Sequence, residues 1–471
     1  MSPQVSRRDF LKASTVAASI GVLGGGLLTS DAFASPLGVR RNVGGMSASD
    51  PILLTYRKAI KAMKALPASD PRSWSYQAAI HGTFTTPVQT AWNTCQHNAL
   101  FFWSWHRMYL YWFERIVRKM AGDCEPCWTL PYWDWASPTQ RQLPSVFRDP
   151  ASDLFEVNRN VAMNNGTGSL NAGAVDYTSA FALTNFVTAS GSLSGGAHGS
   201  VHVSVGGFMG SVPTAAQDPI FYLHHSNVDR LWNLWLAQGG RSDPLADTTW
   251  KSTKFTFFDE NAVEIQMTSC QVLRAAEQLY YTYEGEPDQV RQYCDRFRFP
   301  WPWLFELVEL KRFPFPPIVL DANAVTIDLP IADIRKQMAT LARAKKQTLL
   351  LALNDVVAVR PPGIIWEVHL GTANAAELQA ESPSFLGTMA LFGEGIRNET
   401  HGDHGFTPAH FVFPIRGELL ERILAGADHV PLTFVPSGIL IDGKPGPAKP
   451  DAPVRIGHIS LSVETQQEAA N

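Results

Sequence analysis

From residue 35 to about 290 the pattern is mainly helical with long loops, with segments whose apolar positions recur at intervals of three and four, the spacing that lays one face of a helix against a core. Thr55–Leu66 has this spacing. Ser104–Met120 has it more strongly, with Trp105, Met108, Tyr109, Trp112, Ile116 and Met120 on one face and Ser104 placed to cap the first turn. Asp218-Pro219 is a second start signal, the carboxylate as N-cap and the proline at the first helical position, opening a helix predicted to run through Leu236. Residues 156–196, rich in Asn, Gly, Ser and Ala, predict a long loop with short helical pieces. Near 295 the period changes. Arg296–Pro317 is dense in Pro, Phe and Trp and is predicted to be a packed linker. Val319–Leu329, Thr348–Val359, Gly363–Leu370, His410–Pro414, Val430–Val435 and Val454–Val463 are β-rich runs divided by Gly and Pro turns. The predicted architecture is a mainly α domain over 35–295, a linker over 296–317 and a β-sandwich over 318–471.

The first 34 residues carry a different signal. Ser6-Arg7-Arg8-Asp9-Phe10-Leu11-Lys12 precedes an apolar run from Ala13 to Leu28, and Ala32-Phe33-Ala34 offers small residues for a peptidase. The paired arginines match a twin-arginine export signal over 1–34, read by the twin-arginine machinery. The run is short and glycine-rich for a bilayer span, so no stable membrane anchor is expected, and the mature chain is predicted to be periplasmic or secreted. The formal charge of −4, with no run of Lys or Arg, leaves no electrostatic footprint for nucleic acid.

The candidate chemistry lies in the histidines. Seven of the thirteen fall between 81 and 225: His81, then His97 and His106, then His198 and His202, then His224-His225. His198 and His202 are one helical turn apart, so on a helix both imidazoles face one ion. His106 and His225 fall on predicted helices and can point inward from a bundle. His-x-x-x-His also occurs in zinc metalloproteases, but those need Glu after the first His, and here that position is Gly199. An all-imidazole set suits copper.

The spacing of His81, His97 and His106 and the run His106-Arg107-Met108-Tyr109-Leu110-Tyr111 resemble the first copper site of the tyrosinase and polyphenol oxidase family. His198-x-x-x-His202 and Asp218-Pro219-Ile220-Phe221-Tyr222-Leu223-His224-His225-Ser226-Asn227-Val228-Asp229-Arg230-Leu231-Trp232 resemble its second. Pro131-Tyr132-Trp133-Asp134-Trp135 and Tyr281-x-Tyr283 are similar to further family signatures. The resemblance implies an antiparallel four-helix bundle holding two copper ions on His81, His97, His106, His198, His202 and His225. Phe221, His224, Asn227 and Asp229 then stand behind the ligands. The implied reaction is oxidation of o-diphenols to o-quinones with dioxygen; o-aminophenol oxidation and haemocyanin-like oxygen binding remain open. More loosely, Trp366–Leu370 and Gly387–Gly393 resemble the domain that follows the linker in plant-type members.

The same resemblance bears on the five cysteines. Cys95-Gln96-His97 has the spacing at which fungal members join sulfur to imidazole, leaving Cys124–Cys127 and Cys270–Cys294 as disulfides, with a copper-catching Cys-x-x-Cys as the rival for the first pair. Near the second copper the implied pocket holds Ser194, Gly199, Val203 and Val212. Family members that hydroxylate monophenols often have Asn after the first histidine of this site and an upstream Glu. Gly199 and Ser194 stand there instead, so weak monophenol hydroxylation is expected, and Val212 in place of a gating Phe predicts an open entrance. Such an enzyme needs another control, so the C-terminal domain is expected to insert a side chain over the pocket, with Lys311 and Arg312 as a cleavage point for release.

Overall fold

The computed structural model describes residues 37–122, 128–286, 304–342, 347–374, 378–397, 406–426 and 428–467. The expected signal over 1–34 lies outside them, as do Cys124, Cys127 and Cys294. Six helical segments position the site: α1 Pro51–Lys64, α2 Trp74–His81, α3 Phe102–Ala121, α4 Phe186–Leu193, α5 Gly199–Val205 and α6 Ile220–Ala237. The Asp50 carboxylate accepts from the Ile52 amide to start α1, which buries Leu53, Tyr56, Ala59, Ile60 and Met63 at helical spacing. Helix α2 starts on Ser73, whose hydroxyl accepts from the Tyr76 amide.

Two start signals are corrected. Helix α3 begins before Ser104, at Phe102, after Asn98 accepts from the Phe101 amide, and Ser104 lies inside it, donating to the Phe101 carbonyl. Helix α6 starts one residue later than expected. Asp218 still accepts from the Ile220 amide, and it also forms a buried two-pronged pair with Arg159. The glycine-rich stretch before His198 does more than loop. Between α4 and α5 the chain winds into a wide turn, Ser194–His198, broken at Gly196 by φ −90° and ψ −114°. His198 and His202 therefore sit on either side of a helix junction rather than on one uniform helix.

Among the described residues that follow, ten strands build two sheets: β1 Leu304–Arg312, β2 Ile318–Leu320, β3 Val325–Pro330, β4 Gln347–Ala358, β5 Ile365–Leu370, β6 Phe385–Met389, β7 Ala409–Ile415, β8 His429–Ser437, β9 Val454–Ile456 and β10 His458–Gln467. One sheet runs β6-β5-β8-β3. The other runs β1-β10-β4-β9-β2, with β7 also paired to β4; the pairings are antiparallel. Leu353, Val356, Phe413 and Ile459 from one sheet share a core with Trp366, Val368, Leu432 and Phe434 from the other. Strand β1 occupies part of the expected linker. Lys311 and Arg312 lie on it, Lys311 bonding the Pro330 carbonyl at 2.7 Å and Arg312 exposed, so this pair sits on a sheet strand rather than in a linker. Strand β6 escaped the pattern because Gly387 interrupts it.

Pro36–Asn471 forms one unit, and the two-sheet part contributes to the helical core through Leu350, Ile365, Ala390, Phe392 and Ile439. Polar contacts cross the same boundary. Asn171 donates to the Gly438 carbonyl at 2.7 Å, Thr388 to the Gly173 carbonyl at 2.7 Å, and Thr188 to Glu464 at 2.9 Å.

Candidate metal centre

Two groups of buried histidines face each other. His81, His97 and His106 form one; His198, His202, His224 and His225 form the other, each with candidate ligand atoms within 4.8 Å of one another. None of the seven is more than 7% exposed. The first group comes from the end of α2, the segment before α3 and the second turn of α3. The second comes from the α4–α5 junction and from α6.

Backbone carbonyls set the rings. The Nδ1 atoms of His81, His106, His198 and His202 lie 3.1, 2.7, 2.9 and 2.9 Å from the carbonyls of Val212, Phe102, Ser194 and Met209. A carbonyl only accepts, so Nδ1 carries the proton and each Nε2 presents a lone pair. His106 Nε2 and His198 Nε2 have no hydrogen-bond partner among the described residues, and His202 Nε2 lies 3.1 Å from His225 Nε2. Burial, reinforced by neighbouring imidazoles, holds His106, His202, His224 and His225 well below the usual imidazole range, and burial pushes His198 down to about 4. Neutral inward imidazoles with tethered outer nitrogens are the donor set of a binuclear metal site. His81 and His225 rings are 6.2 Å apart and His106 and His225 stack at 4.3 Å, so the groups share one cavity.

Asp229 finds several partners. Its carboxylate accepts from Arg107 Nε, from Arg40 Nη1 at 3.2 Å and from the hydroxyls of Tyr281 and Tyr283 at 2.6 Å each. Arg107 follows His106 on α3 and Asp229 lies one turn beyond His225 on α6, so this buried pair ties together the helices that carry both. Arg40 arrives on the short strand Gly38–Arg40, paired in parallel with Tyr281–Tyr283, and also bonds Glu114 at 2.9 Å. Phe221 packs edge-on against His81 at 4.7 Å and against His225 at 4.2 Å. Asn227 accepts from Arg230 at 3.2 Å.

Of the expected pocket residues, Ser194 is buried, its hydroxyl 3.4 Å from the His97 carbonyl. Gly199 lies against the two-sheet part: a Cβ there would come within 3.3 Å of the Ala390 Cβ. Val203 is 7% and Val212 1% exposed; Val212 meets the site through its carbonyl. Cys95 is a buried thiol with its sulfur 3.6 Å from His97 Nδ1, and Cys270 is disulfide-bonded. Sequence reasoning left Phe392 unsingled within the Gly387–Gly393 run. Its ring stacks on His202 at 3.8 Å and lies 5.4 Å from His97 and 5.6 Å from His198. Gly393 is seated against the His97 ring so closely that a Cβ would approach it to 2.8 Å.

The comparisons agree with this geometry. The chain matches the common central domain of tyrosinase over 71–186 and 159–238, and the polyphenol oxidase middle domain over 244–292. It is 31% identical over 456 residues to polyphenol oxidase A1, chloroplastic, of Vicia faba, covering 81% of this chain and 72% of that one. The chain belongs to the tyrosinase and polyphenol oxidase family. Tyrosinase HcTyr1 of Hahella sp. (strain CCB-MM4) is 36% identical over 273 residues, 46% of this chain and 58% of that one. The latent polyphenol oxidase of Prunus armeniaca is 32% identical over 281 residues, 50% of this chain and 47% of that one. The chain thus spans about half the length of these two relatives. Latent apple tyrosinase shares the fold, with a TM-score of 0.64 at 23% identity over 91% of this chain and 97% of that one. The two histidine groups of this polyphenol oxidase family member fit the family's pair of coppers.

Proposed function

We propose that this chain is a copper-dependent oxidase of o-diphenols, held latent by its C-terminal domain and exported through a twin-arginine signal. The observation that carries the reading is the facing pair of histidine groups with their Nδ1 atoms tethered to carbonyls. His81, His97 and His106 would hold one copper; His198, His202 and His225 would hold the other. When bound, the pair supplies a two-electron partner for dioxygen. The protein orients the imidazoles, keeps them neutral, and excludes water. The Arg107–Asp229 pair keeps the two ligand helices in register. A catechol bound beside His202 gives up two electrons and two protons and leaves as an o-quinone.

Phe392 occupies that position, so a bulky phenol is excluded until its segment moves. Ser194 and Gly199 supply neither a carboxylate nor an amide to hold a water that deprotonates a monophenol, so diphenols are the favoured substrates. Cys95, its sulfur 3.6 Å from His97 Nδ1, would form a thioether to His97, and a peptide spanning both, lighter by two hydrogens, would establish it. Copper content with oxygen uptake on tyrosine, catechol and o-aminophenol tests the whole reading. Two coppers and fastest uptake with catechol are expected; zinc, a single metal, or equal rates on tyrosine would sink it.

A further inference from the structure

From His224, the member of the second histidine group that the proposed copper set leaves out, a line of redox-active rings leads away from the site. His224 stacks on His198 at 5.2 Å with 14° between the planes and meets His202 edge-on at 4.6 Å. Trp135 packs against His224 at 5.9 Å, and Tyr177 against Trp135 at 6.4 Å. Neither nitrogen of His224 nor the indole nitrogen of Trp135 has a hydrogen-bond partner among the described residues, although both side chains are fully buried. Tyr177, by contrast, is half-buried and lines an open surface groove with Phe181, Leu234 and Gln238. The line therefore runs from solvent to the metal histidines. The ring contacts of Phe392 are with His97, His198 and His202, so it does not interrupt this route.

The geometry points to Tyr177, Trp135 and His224 as a one-electron path that lets a small phenolic or enediol reductant in the surface groove reduce the metal centre while Phe392 bars the pocket. The inference rests on the dicopper reading. In each event Trp135 would pass one electron through His224 towards the bound coppers, and Tyr177 would refill Trp135 with one electron. The Tyr177 hydroxyl gives its proton to groove water, leaving a neutral tyrosyl radical. The reductant restores it with one electron and one proton. Two events supply the two electrons the centre needs, and an o-diphenol supplying both leaves as the o-quinone. Burial and the nearby carboxylates of Asp134 and Asp176 raise the Tyr177 phenol, so it stays protonated at neutral pH and its oxidation releases a proton.

The test uses the full-length, copper-loaded chain, oxidised with hydrogen peroxide and frozen for electron paramagnetic resonance, with ascorbate as the reductant in a parallel optical experiment. The expected result is a tyrosyl signal in the wild type that Tyr177→Phe and Trp135→Phe each lose. Copper content and the optical band formed with hydrogen peroxide should be unchanged in both. Bleaching of that band by ascorbate should slow several-fold in both variants. Tyr177→Phe removes only a hydroxyl at the groove, so its result stands even where Trp135→Phe disturbs packing. A tyrosyl signal that survives both substitutions, or its absence from a wild type that forms the band, overturns the path. A protein that holds copper in neither site removes the dicopper reading and the path with it.

Discussion

A buried imidazole can serve a metal only if its proton is committed elsewhere, and here carbonyl oxygens make that commitment for four rings. His106→Ala removes a donor whose Nδ1 is held 2.7 Å from the Phe102 carbonyl. Metal analysis of the variant should find copper falling from two equivalents toward one, with catechol-driven oxygen uptake lost; retention of both would unseat His106 as a ligand. The same burial fixes a pH dependence in the metal-free chain. With His198 at about 4 in the folded state and near 6.5 unfolded, the unfolded chain takes up protons first as pH falls. The His198 contribution to stability is therefore full above pH about 6.5 and is lost progressively down to about 4. Thermal melts of the metal-free protein should lose less stability across that window in His198→Gln than in the wild type, and equal losses would argue against a neutral His198. Most of these residues were legible from spacing, because a ligand set leaves its mark in residue type. The acceptors were not, since Val212, Phe102, Ser194 and Met209 act through carbonyls that every residue possesses.

Between elements, the decisive contacts join segments far apart in the chain. Asp229 binds two arginines and two tyrosines drawn from residues 40 to 283. Asp229→Ala strips a buried ion pair of one partner, a change that costs about 3–5 kcal/mol. Chemical unfolding should show that loss, with copper affinity falling as α3 and α6 lose register; a near-neutral result would mean the network relaxes onto Glu114. Helix α3 and helix α6 could be read from apolar periodicity to within a few residues, but the break at Gly196 could not. That break has its own partner: the Ala390 amide donates to the Gly195 carbonyl at 2.9 Å. A Cβ at Gly195 would come within 2.7 Å of Phe411. Gly195→Ala should therefore push the two-sheet part outward and raise catechol turnover in the full chain, measured per bound copper. Strand β1 was missed for a physical reason as well, because the proline and aromatic density around it reads as linker until its pairing with β10 is seen.

At the scale of the molecule, the C-terminal sheets are joined to the helices both by shared core and by one ring set in the cavity. Phe392→Ala takes away that ring and leaves the sheets in place. Catechol turnover should rise several-fold without proteolysis, and substrate range should widen toward bulkier phenols; unchanged turnover would mean that Phe392 does not limit access. The histidines are sealed on the inner side by the helical core and on the outer side by Phe392 and Gly393. A hydrated cation is larger than the gaps such packing leaves. Metal uptake is therefore expected to be faster while the sheets are undocked, and docking afterwards to slow the loss of the ions. The order in which metal and sheets arrive then sets how readily the chain is loaded.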